Sequence, residues 1–122
     1  MGYPQAAAAY GAIDPSLISP GRAESFVFAK VTRRMEEVFS DDAASSASRV
    51  SALHDNRRLW QAAAVACADD ANTMTPQLRA GLIGLAGFVD RHTSAVMNGS
   101  AKPDPLFEIN RRIAAGLSAG GM

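Results

Sequence analysis

With only one cysteine, Cys67, this 122-residue chain can form no internal disulfide and offers no pair of thiolates to a metal. That is the usage of a reducing compartment, and cytoplasm is the expected location. Charge of one sign is also missing: twelve basic residues face twelve acidic ones. A nucleic-acid binder normally carries a basic surplus against phosphate, so direct nucleic-acid binding is disfavoured. No stretch approaches the roughly 20 apolar residues that span a bilayer. Residues 1–13 lack the basic start and long apolar run of a secretory signal, so no membrane association is expected. Aromatics amount to 7%, and much of the 48% hydrophobic content is alanine, which favours helix while burying little area. Strict apolar–polar alternation is absent, which removes the main signature of strands.

What remains is helical periodicity, and it predicts an all-α protein: a compact antiparallel bundle of four main helices. Residues 1–19 form an N-terminal segment, in which 5–11 are alanine-rich enough for a short docking helix or else a frayed end. Residues 20–117 form the bundle domain and 118–122 a frayed tail. The first long helix, from 20 or 22 to 39, carries Val27, Phe28, Val31, Met35, Val38 and Phe39 on one face. The second, over 46–68, aligns Val50, Leu53, Trp60, Ala64 and Cys67. Thr75 before Pro76 is an N-cap and first-turn pair that opens the third helix, and Gly99 closes it. Asp104 before Pro105 repeats the signal for the fourth, which is expected to end near residue 117.

Three helices carry a polar residue inside the apolar stripe. Arg57 lies between Leu53 and Trp60, His92 between Val89 and Val96, and Asn110 between Leu106 and Ile113. Asp90 lies on a second face of the third helix, where it would need a partner. Buried charge is costly unless paired, so Arg57, Asp90, His92 and Asn110 are candidates for one internal polar network that sets helix register. The alternative is that the Arg57 side chain reaches out to water and His92 satisfies a single backbone carbonyl.

Apolar residues off the stripes either face a partner or belong to ordinary core packing. Phe26 lies opposite its stripe, Leu59 well off that of the second helix, and Phe88 at the edge of that of the third. With Phe107 they form the candidate partner-binding set, since contiguous exposed apolar surface marks interaction sites. Gly81, Gly84 and Gly87 read as a face for close helix packing. Chemistry is thin. His54 and Asp55 diverge by about 100° on a helix and cannot serve one substrate. No histidine or cysteine pair has metal-ligand spacing, so neither a cofactor nor a metal is expected. A binding protein, not an enzyme, is the expectation.

Four blocks in order then carry a resemblance: Asn56-Arg57-Arg58-Leu59-Trp60; Pro76-Gln77-Leu78-Arg79-Ala80-Gly81-Leu82-Ile83; Val89-Asp90-Arg91-His92-Thr93-Ser94-Ala95-Val96; and Pro105-Leu106-Phe107-Glu108-Ile109-Asn110-Arg111-Arg112-Ile113. Together they resemble the FlaF family of flagellar biosynthesis regulators, over nearly the whole chain. Gly21 departs from the charged helix former usual there. The resemblance implies flagellin as partner: a chaperone-like factor for flagellin secretion and filament assembly, acting with FlbT in post-transcriptional control. It equally allows a regulator that acts on flagellin message or through FlbT without chaperoning. The arginine pairs Arg33-Arg34, Arg57-Arg58 and Arg111-Arg112 would have to cluster for direct RNA contact.

Overall fold

The computed structural model describes residues 20–68 and 75–120, with side chains over 26–68 and 75–116. Residues 5–11, read as a short docking helix or a frayed end, and the rest of the N-terminal segment lie outside the described residues. Four helices follow one another: α1 (Pro20–Ser40), α2 (Ser46–Ala68), α3 (Pro76–Met97) and α4 (Asp104–Gly120). No strand occurs among the described residues.

Local chemistry accounts for the boundaries. Ser45 accepts the Ser48 backbone N–H at 3.0 Å and so caps α2. Thr75 does the same for Leu78 at 3.2 Å, with Pro76 in the first turn of α3. At the other end of α3, Gly99 takes φ +82°, the left-handed conformation that a side chain would strain. Its N–H donates to the Val96 carbonyl, and that of Ser100 donates to Ala95 at 2.9 Å. The paired bonds satisfy carbonyls the last turn would leave open. α4 runs to Gly120, three residues beyond the expected end; Ser118 and Ala119 propagate an existing helix readily enough.

The helices form an antiparallel bundle in a ring. α1 packs most extensively on α4, α2 packs on α3, and α1 on α2, while α3 and α4 barely touch. Antiparallel register between α1 and α2 shows in Phe28 against Trp60, rings edge to face at 5.4 Å, and in the Arg34–Asp55 ion pair farther along. Between α1 and α4 it shows in the Arg111–Glu36 ion pair and in Phe39 against Phe107 at 6.3 Å. The core is built from Val27, Phe28, Val31 and Met35 on α1, Ala52, Leu53, Leu59 and Trp60 on α2, Val89 on α3 and Leu106 on α4. Each large side chain so buried contributes about 1.5–3 kcal/mol.

Two expectations for α2 and α3 are corrected here. Val50 is exposed and Leu59 is only 7% exposed, because the buried stripe of α2 is rotated toward Ala52, Leu53, Asn56, Leu59 and Trp60. Leu59 is therefore core and leaves the partner-binding set. Nor does any side chain or neighbouring helix approach Gly81 and Gly84: a Cβ built at either meets nothing within 4 Å. The expected close packing on that glycine face does not occur within the described residues.

Candidate partner-binding surface

The four residues expected to share a polar network occupy three places. Arg57, on the α3-facing flank of α2, donates from Nη2 to the Asp90 carbonyl at 2.7 Å and to Ser94 Oγ at 2.6 Å. Its Nε lies 3.0 Å from Asp90 Oδ1 but off the N–H direction, so that contact is Coulombic. His92 is tied elsewhere: Nε2 sits 2.8 Å from the Lys102 carbonyl, and the ring stacks on Phe88 at 5.2 Å. Asn110 is fully buried; its Oδ1 accepts from Trp60 Nε1 at 2.8 Å and its Nδ2 donates to Asn56 Oδ1 at 2.7 Å. One network is thus replaced by a clamp between α2 and α3, a tie from α3 to the α3–α4 loop, and an amide seam between α2 and α4. The separation has a simple cause. A long guanidinium on a stripe's edge reaches the rim, and only the short amides stay inside.

Asn56 is the member that sequence reasoning missed. It stands three residues from Leu53 and four from Trp60, and Arg57 stands four and three, so periodicity alone admits either. The signal that separates them is desolvation: a neutral amide costs far less to bury than a charged guanidinium. The buried threonines Thr32 and Thr93 need no outside partner, since each hydroxyl donates to the carbonyl four residues back at 2.6 Å.

Of the candidate binding residues, Phe26 is 55% exposed and Phe88 and Phe107 are half-buried. They do not form one patch. Phe107 lines a shallow groove between α1 and α4 with Phe39 and Pro103; Arg33, Glu37, Lys102 and Asp104 edge it with mixed charge. A different surface emerges from the helix order. The antiparallel ring brings the start of α1, the end of α2, the start of α3 and the end of α4 to the same end of the bundle. Phe26, Val65, Leu78 and Ile83 all belong to that end, with Val65 as much as 74% exposed. The open glycine face of α3 lies there too. Over the described residues 61–68 and 75–88, Arg79 is the sole ionisable side chain besides the buried Cys67 thiol. The opposite end is polar by contrast: Arg49 bonds the Val38 and Asp41 carbonyls, and Ser100 bonds Asn98.

Such an apolar surface, with one described arginine, suits an apolar helix face better than a phosphate backbone. Four of the six paired arginines are engaged with carboxylates: Arg34 with Asp55, Arg57 with Asp90, Arg111 with Glu36 and Arg112 with Glu108. Arg33 and Arg111 do line one groove with Lys102, but Glu36, Glu37, Asp104 and Glu108 line it as well. Among the described residues no group of three His, Cys, Asp or Glu side chains is placed to hold a metal, and no helix is long and apolar enough to cross a membrane.

Comparison with known proteins gives one match. The family model described as flagellar protein FlaF aligns with residues 6–117. No curated protein and no solved structure matches the chain.

Proposed function

The chain belongs to the FlaF family of flagellar proteins, and from that premise we propose that it binds flagellin in the cytoplasm as a chaperone-like factor. It supports flagellin secretion and filament assembly, and it takes part with FlbT in post-transcriptional control of flagellin. The observation that carries this reading is the placement of exposed Phe26, Val65, Leu78 and Ile83 at one end of the bundle, where the described parts of α2 and α3 carry Arg79 as their one charged side chain. An amphipathic segment lays its apolar face into such a surface by the helix-in-groove mode. Covering the segment keeps it from aggregating until export. Control of synthesis follows from the same contact, because a protein that senses free flagellin can report its level to FlbT.

The test is titration of the purified protein with purified flagellin, alongside a Leu78→Asp/Ile83→Asp variant. Both positions are exposed, so the variant keeps its fold while association weakens by about tenfold or more. Absence of association at about tens of micromolar, already weak for a specific complex, sinks the reading.

A further inference from the structure

We propose that the bundle behaves as two helix pairs, α1/α4 and α2/α3, that part along the α3–α4 edge, and that the asparagine seam keeps the closed state shallow. Packing supplies the first part. The ring is strong at α1–α4 and α2–α3, intermediate at α1–α2, and nearly absent at α3–α4. Parting along that last edge sacrifices least, and the α1–α2 contact of Phe28 with Trp60 serves as the hinge.

The seam supplies the second part. Across the ring, α4 is joined to α2 through Asn110, which holds Trp60 Nε1 and Asn56 Oδ1. Asn56 is fully buried, yet its Nδ2 has no hydrogen-bond partner among the described residues. A hydrocarbon seam would lose burial on opening and regain nothing from water. Amides lose modest net bonds and recover them with water, and the orphan donor of Asn56 gains one outright. Opening is favoured where the seam lies. Before Val89, α3 has no fully buried residue and puts only the partly buried Leu85 and Ala86 against the core, so less apolar packing opposes opening at that end. The helix that enters the gap is the amphipathic flagellin segment, and that identity rests on the flagellin-binding function. The opening itself belongs to the free protein.

A thiol at the seam tests this. Val89 is fully buried on α3, and Val89→Cys in a Cys67→Ala background places one near-isosteric thiol inside the closed bundle. Its labelling by a thiol reagent is followed against urea. Expected is labelling through an opening far less urea-sensitive than global unfolding, since parting exposes only a fraction of the surface. Adding Asn56→Leu/Asn110→Leu should slow it by about tenfold. That pair leaves one orphan, the Trp60 N–H, where the native seam also leaves one. Labelling that tracks global unfolding in the native seam overturns the opening, even if the leucine variant fails to fold. An unchanged rate in a folded leucine variant overturns the role of the seam. Purified flagellin in excess should then shield the introduced thiol. Binding without shielding overturns the gap as the docking place and spares the flagellin function. Failure to bind removes flagellin as the occupant, and the urea slope still decides the opening.

Discussion

Asn110 touches two partners on α2, so shortening it removes more than one bond. Asn110→Ala strips the acceptor from Trp60 Nε1 and the donor from Asn56 Oδ1, and leaves a small cavity. Urea denaturation should show a loss of about 2–4 kcal/mol. Asp90→Asn makes the instructive contrast. The Asp90 side chain is 58% exposed, and the strongest bonds of Arg57 go to the Asp90 carbonyl and Ser94. The change should cost about 1 kcal/mol or less by the same measurement. Sequence alone puts the two residues in one network and does not rank them. The pairing of Arg57 with Asp90 and the inward position of Asn110 were legible from helical spacing. The place of Asn56 and Leu59 was not. Both depend on a rotation of the α2 stripe that becomes visible only once Asn110 arrives from the other end of the chain.

Helix by helix, the boundaries were written in local chemistry. Thr75 with Pro76, and Gly99 after the last turn of α3, act through neighbours within a few residues, which is why spacing reveals them. Gly99→Ala should lower stability by about 1 kcal/mol, because alanine at φ +82° is strained. Gly81 and Gly84 predict the reverse. Their surroundings are open, and neither has a positive φ. Gly81→Ala/Gly84→Ala should therefore raise the melting temperature, with about 0.5–1 kcal/mol gained at each position. If flagellin approaches this face closely, the same variant should bind it more weakly, a gain in stability traded for function. The end of α4 escaped the sequence because an alanine- and glycine-rich tail lacks a stop signal as distinct as Gly99.

For the molecule as a whole, four amphipathic helices with short connections were sufficient to predict an antiparallel bundle. The ring order was not, because it turns on contacts such as Glu36 with Arg111, 75 residues apart. The proposed surface was equally hidden. Phe26, Val65, Leu78 and Ile83 lie on three helices, and only the antiparallel ring brings them to one end. Because the described residues of α2 and α3 at that end carry one charged side chain, Arg79, flagellin association should change little when monovalent salt is raised from about 0.1 to 1 M, where exposed ion pairs are screened away. A steep fall with salt would point to the arginines instead. The ring also has a consequence for biosynthesis. The most extensive helix pair, α1 with α4, joins the first and last helices of the fold, so α1 emerges from the ribosome long before the surface that will shelter it. Until α4 follows, the face of α1 that packs on it stays uncovered. A product truncated before α4 should be a substrate for proteases, and binding competence should arrive only with the finished chain.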